Sequence, residues 1–372
     1  MRKRLTRLAC SGVAFLIGLL ILPGTAFSYD LNAQFSVGGV LAGAYQYLNA
    51  DAGPDTRDGG ELAAPLQPEL SFHPTARDEF FLKLGFAAGN GLNPKSPFTL
   101  SPWAADLEGD VKDINGRDRD YLLTAGYEHE LRIGENHALE LSGGLIDATD
   151  YLDENAYAND EYTQFMNQAL VNAPNGFLPS YDIGGALEWD FGPLRLRGVI
   201  MDVGQNDAGN NYQFYGIQLG YTLDTPFGEG NYRLLYHGTS SDFPDPDDRS
   251  NERLSALVAS FDQQFGEIIG AWLRFCIQED AAAIDHKALY SGGIDISGSL
   301  WGHDQDNIGV GIAYLSGGNQ DRDNACVAEA YVRCVLNEFF AATLDFQYLK
   351  EDLRDAENPE GIIAGLRLTA EF

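Results

Sequence analysis

Residues 361–372 read GIIAGLRLTAEF, and they separate into two faces. The even positions, Ile362, Ala364, Leu366, Leu368, Ala370 and Phe372, are all apolar, whereas Gly361, Ile363, Gly365, Arg367, Thr369 and Glu371 are mostly small or polar. Successive side chains of a strand point to opposite faces, so this is a strand with one greasy and one wet side. The two segments before it repeat the pattern. Phe340, Ala342, Leu344, Phe346 and Tyr348 oppose Ala341, Thr343, Asp345, Gln347 and Leu349, and Cys326, Ala328, Ala330, Val332 and Cys334 oppose Val327, Glu329, Tyr331 and Arg333. A half-buried soluble sheet alternates too. A last strand closing on Phe372 is the ending expected of an outer-membrane barrel.

Outward from that stretch, strand-like segments fall near 34–47, 65–72, 80–88, 120–131, 137–146, 182–191, 194–203, 211–223, 231–240, 253–264, 267–277, 286–301, 307–316, 325–336, 339–349 and 361–372. That is sixteen, an even number as a closed bacterial barrel requires. Their connections alternate between short turns such as Gly192-Pro193, Phe265-Gly266 and Asn337-Glu338 and long polar stretches such as 89–119, 147–181 and 241–252. Turns on one rim and loops on the other suit a membrane barrel; a sandwich or propeller has no reason to keep this two-register alternation. The expected fold is therefore all-β: a transmembrane, antiparallel, up-and-down barrel of about sixteen strands, with short periplasmic turns and long extracellular loops.

Composition agrees with this. The chain has 372 residues, 24 Lys+Arg against 55 Asp+Glu, a net charge of −31, 44% hydrophobic residues and 42 Gly. Such acidity argues against nucleic acid as a partner, and the apolar content argues against wholesale disorder. Arg2, Lys3, Arg4 and Arg7 precede an apolar run from Leu8 to Leu22, followed by Pro23-Gly24 and the small residues Ala26 and Ser28. We expect residues 1–28 to be a cleavable secretory signal, whose removal leaves one barrel domain over 29–372 with a net charge of −35. No later stretch is long and apolar enough for a membrane helix.

With the apolar faces in lipid, the lumen receives Lys83, Glu128, Glu130, Arg132, Glu140, Glu188, Asp190, Arg195, Arg197, Arg233, His237, Arg274, Glu329, Arg333, Asp345, Gln347 and Arg367. It is then polar and mixed in charge, as a water-filled channel requires. Of these, Arg132, Arg195, Arg197, Arg233, Arg274, Arg333, Asp345, Gln347 and Arg367 are the expected pore wall. The lipid face carries Tyr127, Trp189, Phe191, Tyr215, Tyr221, Tyr232, Tyr236, Phe340 and Tyr348, several near strand ends as an aromatic girdle demands.

Residues 147–180, DATDYLDENAYANDEYTQFMNQALVNAPNGFLPS, are dense in carboxylates, amides and rings. Such groups hydrogen-bond vicinal hydroxyls while aromatic faces stack on sugar C–H surfaces. The competing reading is a solvated surface loop with a short helix from Asp160 to Val171. Here the chain resembles a known family. Gly144 to Asp147, Asp150, Tyr151, Asp153, Asn155, Tyr157, Asn159, Asp160, Glu161, Gln164, Phe165 and Asn167 are similar to the signature segment of the carbohydrate-selective porins of the OprB type, and Leu344 to Tyr348 with Gly365 to Leu368 resemble that family's closing strands. The resemblance implies a sixteen-stranded outer-membrane channel of the Gram-negative envelope that passes sugars by diffusion. It makes Asp147 through Asn167 the expected constriction, folded inward within 147–181.

Other chemistry is sparse. HExxH, CxxC, Walker and GxSxG motifs are missing, so neither catalysis, cofactor nor metal is expected. The run from Asp242 to Asp248 lacks the glycine and terminal Glu of an EF-hand and reads as a solvated loop. Cys326 and Cys334, eight residues apart on one strand, are about 26 Å apart, too far to pair. His237 is the one lumen histidine near a loop on which a barrel enzyme would have to rest. The expected partners are sugars, outer-membrane lipid and lipopolysaccharide, with the barrel standing alone or as a homo-oligomer. Two alternatives stay open: a general or cation-favouring porin, and a secreted soluble β-protein with no transport role.

Overall fold

The computed structural model describes residues 29–52, 58–100, 102–133 and 137–372, so the expected signal segment 1–28 lies outside the described residues. Sixteen antiparallel strands close into a barrel: β1 (Phe35–Asp51), β2 (Gly59–Thr75), β3 (Asp78–Leu84, resumed at Phe86–Ala88), β4 (Leu122–Arg132), β5 (His137–Ile146), β6 (Asp182–Phe191), β7 (Leu194–Gln205), β8 (Asn211–Thr225), β9 (Gly228–Thr239), β10 (Ser255–Phe265), β11 (Ile269–Gln278), β12 (His286–Ser297), β13 (Asn307–Gly317), β14 (Arg322–Val335), β15 (Phe340–Leu353) and β16 (Glu360–Glu371). Each strand pairs with its sequence neighbours, and β1 closes the ring on β16 from Val40↔Glu371 to Asp51↔Glu360. A short strand, Tyr29–Asn32, pairs with the start of β1. Closure leaves no sheet edge, which is what a spanning sheet needs where no water can satisfy the backbone.

All sixteen strands lie where the alternation places them; β1 and β15 run four residues further, to Asp51 and Leu353, and two others differ in extent for identifiable reasons. β2 runs from Gly59 to Thr75 rather than over 65–72, because Pro65 and Pro68 interrupt the pattern that would otherwise announce it. β12 ends at Ser297 rather than 301. A 3₁₀ turn, Gly298–Trp301, follows, since a side chain at Gly298 would meet the His303 carbonyl and Gly302 takes a left-handed conformation (φ 82°). One rim carries turns such as Ala76-Arg77, Gly192-Pro193 and Pro226-Phe227, and the other carries the long connections 89–121 and 147–181.

The outer surface is apolar. On β8, Tyr215, Ile217, Leu219, Tyr221 and Leu223 are exposed while Phe214, Gly216, Gln218 and Gly220 between them are buried. The lipid-face aromatics Tyr127, Trp189, Tyr232, Tyr236, Phe340 and Tyr348 are exposed as well. The inner surface departs from the expected polar lumen. Inward positions are polar toward the turn rim and through mid-depth, but toward the loop rim many are apolar. On β7, Arg195 and Arg197 give way to Val199, Met201 and Val203; on β10, Ala256 and Val258 precede Ser260 and Asp262; Leu315, Val327, Leu349 and Ile363 occupy the same level farther round. These wall residues form one core with Leu152, Ala158, Phe165, Ala169 and Leu170 of the 147–181 segment. The barrel is thus partly filled by its own loop, and the wall behind that filling is greasy on both faces.

Candidate functional site: the inward loop and the cavity beside it

The 147–181 segment is built from capped turns. Asp147 Oδ1 accepts from the Thr149 N–H at 2.8 Å, Asp160 Oδ1 from the Tyr162 N–H at 2.7 Å, and Asn167 Oδ1 from the Ala169 N–H at 3.0 Å to start the single helical turn Gln168–Val171. Asp, Asn and Ser stop regular structure in this way by satisfying orphan donors themselves.

A polar belt at mid-depth of the wall grips the segment from behind. Arg274 on β11, wholly buried, donates through Nε to Asp153 Oδ1 (2.9 Å), through Nη1 to the Val171 carbonyl (3.0 Å) and through Nη2 to the carbonyls of Asp153 (3.1 Å) and Ala158 (2.8 Å). On β14, the Glu329 carboxylate accepts from the backbone N–H groups of Met166 (2.6 Å) and Asn167 (2.9 Å). Asn167 donates to Gln347 on β15 at 3.2 Å, and Gln347 donates to Asp345 at 2.8 Å. Arg367 on β16 donates to the carbonyls of Gln164 (2.9 Å) and Glu161. On the remaining flank, Gln218 accepts from the Asp153 N–H (2.9 Å), and Asn155 donates to Ser260 (3.1 Å). A second connection, 89–121, docks likewise: Glu351 accepts from the N–H groups of Thr99 and Leu100, both at 2.9 Å.

Between these two connections and the wall of β2 and β3 lies a cavity of about 1030 Å³. Its lining includes Asp106, Asp110, Asp147, Asp150, Asp160 and Glu161, the amides Gln67, Asn159, Gln168 and Asn172, and the rings of Trp103, Tyr162, Phe177 and Tyr181. Trp103 and Tyr162 meet edge to face at 6.3 Å. Among the described lining residues Lys83 is the one base, and its ammonium lies 2.8 Å from Glu69. A smaller cavity of about 220 Å³ shares Lys83 and Asp150 with the first and continues past Glu69, Glu79, Glu128 and Tyr151. Beyond it, carboxylate oxygens of Glu128, Glu140 and Glu188 lie within 4.8 Å of one another, with Arg197 bridging Glu188 and Asp190 at 2.7 Å each.

Enclosure by the barrel shapes the titration of the loop acids. Glu161, exposed to the cavity but surrounded by the barrel and adjacent to Asp160, is pushed up to about 7 although Arg367 draws it down. Asp150 rises to about 6 through enclosure and the charge of Asp147, and Asp110 to about 6 through enclosure and Asp106. Crowding by protein disfavours the charged form of a carboxylate and a like charge nearby adds to the effect, here on three side chains that remain exposed to the cavity.

The twelve residues singled out in the loop divide evenly. Asp147, Asp150, Asn159, Asp160 and Glu161 line the larger cavity and Tyr151 the smaller. Asp153, Asn155, Phe165 and Asn167 are buried on the loop's back, Gln164 holds Asn159 and Ala156 in place, and the Tyr157 ring covers Gly270. The expected pore wall departs further from the site. Arg274, Asp345, Gln347 and Arg367 are at most 2% exposed and face the loop rather than a cavity. Arg233 is buried on Asp262, and Arg195 and Arg197 lie toward the turn rim. Arg333 pairs with Glu371, and Arg132 is exposed beside Glu130. The reason is that a loop rich in carbonyls and carboxylates offers acceptors to the guanidinium groups it meets. Gln67 on β2 and Trp103, Asp106, Asp110, Tyr162 and Tyr181 on the connections complete the cavity; the connections carry no periodicity from which orientation could be read, and on β2 Pro65 and Pro68 obscure it.

Comparison with known proteins bears on this geometry. The model of the carbohydrate-selective porin, OprB family, matches residues 109–372. The chain belongs to the OprB family. This porin is 30% identical over 309 residues to an uncharacterised protein of Aquifex aeolicus (strain VF5), covering 82% of this chain and 87% of that one. The structure of Pseudomonas putida OprB at high pH superposes with a TM-score of 0.70 at 13% identity, covering 91% of this porin and 94% of that chain. The outer membrane channel DcaP of Acinetobacter baumannii superposes at 0.53 with 9% identity, covering 94% and 100%. The protein is therefore an outer-membrane β-barrel and a carbohydrate-selective porin, which removes the secreted soluble alternative. Porins are channels rather than enzymes, and His237 is buried between the rings of Phe177 and Phe214.

Proposed function

We propose that the porin passes mono- and oligosaccharides into the periplasm by passive diffusion, along the cavity between the 147–181 loop, the 89–121 connection and the wall of β2 and β3. The observation that carries this reading is the lining of the cavity of about 1030 Å³, where amides and carboxylates alternate with Trp103, Tyr162 and Tyr181. Hydroxyls find hydrogen-bonding groups there and pyranose C–H faces find rings. The loop is the constriction, held by its back so that one flank faces the solute. The long connections lie outside the cell and the short turns in the periplasm, as in bacterial barrels generally.

The test is sugar permeation through proteoliposomes carrying the protein with residues 155–167 deleted. The expected outcome is a higher conductance and a loss of discrimination between monosaccharides and larger oligosaccharides. An unchanged sugar flux with unchanged size dependence would remove the loop from the mechanism. Faster migration of unboiled than of boiled protein in SDS gels shows that the variant barrel is folded.

A further inference from the structure

We propose that the path selects cationic solutes and that, among sugars, those bearing a free ammonium group pass fastest, with the junction of the two cavities at Lys83 and Asp150 setting the preference. This rests on the reading of the cavity as the sugar path and names the class of sugar it favours.

Three independent features carry the inference. The larger cavity presents six carboxylates and one lysine, and that lysine already has Glu69 as its partner. Three of the wall's arginines are withdrawn from the path, while Arg195 and Arg197 stay toward the turn rim. Arg274 and Arg367 are wholly buried behind the loop, Arg274 on the Asp153 carboxylate and three loop carbonyls and Arg367 on the carbonyls of Glu161 and Gln164, and Arg233 is spent on Asp262. Beyond the junction the acids continue, since the smaller cavity adds Glu79 and Glu128 and the turn-rim cluster adds Glu140 and Glu188, of which only Glu188 meets Arg197.

A solute therefore meets excess negative charge before, at and after the junction. A low-dielectric cleft lined by one sign of charge focuses the field along its length and concentrates the opposite ion. Hydrogen-bond inventory points the same way. A sugar hydroxyl both donates and accepts, so a neutral sugar is matched by a mixed wall, whereas ionised carboxylates only accept. A wall with this surplus of acceptors is complementary to a solute with surplus donors, and a protonated amine supplies three charged ones. The amides Asn159, Gln168 and Asn172 remain for the hydroxyls.

The experiment uses the full chain in planar bilayers and in proteoliposomes at neutral pH. A KCl gradient gives the cation-to-anion permeability ratio, expected on the order of 10. Efflux of radiolabelled glucosamine, glucose and glucuronate is expected to fall in that order. A ratio at or below unity, or glucosamine no faster than glucose while glucose passes, overturns the cation preference and leaves the sugar path standing. Conduction of KCl with no efflux of glucose overturns the sugar path itself. The variant Asp150→Asn is expected to lower the ratio about twofold; a folded barrel with an unchanged ratio overturns the assignment to this junction.

Discussion

Strands β11 and β14–β16 and strands β2–β5 both turn charged side chains inward, yet the two sides of the barrel use them for opposite purposes. On the first side Arg274, Glu329 and Arg367 are buried and each is bonded to the backbone or side chains of the 147–181 loop. On the second, Glu69 and Lys83 pair with each other beside a cavity and stay partly exposed. Inward polarity therefore means anchor on one side and pore on the other, and what separates them is whether a loop of complementary donors and acceptors is present to cover the wall. The comparison predicts that substitutions on the first side change the shape of the channel and those on the second change only its charge.

The largest effect is expected at Arg274. Arg274→Leu leaves Asp153, itself wholly buried, without its cation and orphans the carbonyls of Val171 and Ala158. Breaking such a pair costs about 3–5 kcal/mol, enough to release the loop. Single-channel conductance should rise, and limited proteolysis in proteoliposomes should cut between 153 and 171 while the barrel survives. An unaltered conductance and an uncut loop would show that the grip on the loop lies elsewhere.

Asn167→Ala should act in the same direction but less. The side chain is fully buried, caps the Gln168–Val171 turn and donates to Gln347, so its loss costs about 1–2 kcal/mol. Hydrogen exchange of the Ala169 and Leu170 amides should quicken with little change in mean conductance; exchange equal to that of the parent would remove this cap from the anchor.

How far the sequence foretells these two sides follows from the period of each. All sixteen strands were legible because the lipid side imposes one rule on every second residue, and even Gly361–Phe372 alone displays it. The filled side was also legible in principle. Along 194–203, LRLRGVIMDV, alternation gives way to a continuous apolar run, the mark of a strand covered on both faces. Reading every inward residue as wet missed that change. The fate of the arginines was not legible, because whether a guanidinium lines water or grips a loop depends on contacts such as Arg274 to Asp153, separated by 121 residues. Within the loop, Asp153 takes a left-handed conformation (φ 61°) that re-aims the chain, and no periodicity announces which of its neighbours then face the cavity.

On the pore side the first lever is pH. Glu161 titrates near 7, faced by Asp160, Tyr162, Asp110 and Arg367; Asp150 titrates near 6, faced by Asp147, Lys83 and Glu69; Asp110 titrates near 6 beside Asp106. All three are raised carboxyls, so they are ionised above this range and become neutral as pH falls through it. The cation-to-anion permeability ratio should therefore be full at pH 8 and decline between about 7 and 6, with conductance steps of unchanged size if the loop stays docked. A ratio that is flat across that window would mean that these three acids do not face the permeating ion.

The smallest structural effect is expected at Glu69, and it sharpens the contrast most. Its pair with Lys83 is half open to water, with the Glu69 side chain 47% exposed, and pairs of that kind contribute about 0.2–1 kcal/mol. Glu69→Gln should leave loop proteolysis and thermal unfolding of the barrel unchanged. It removes one negative charge where the two cavities meet and frees the Lys83 ammonium, so the permeability ratio should fall. A loosened loop in this variant would break the comparison, because it would make the open wall a second anchor. A changed ratio with an intact loop separates charge from shape within one barrel, which Arg274→Leu, altering both at once, cannot do.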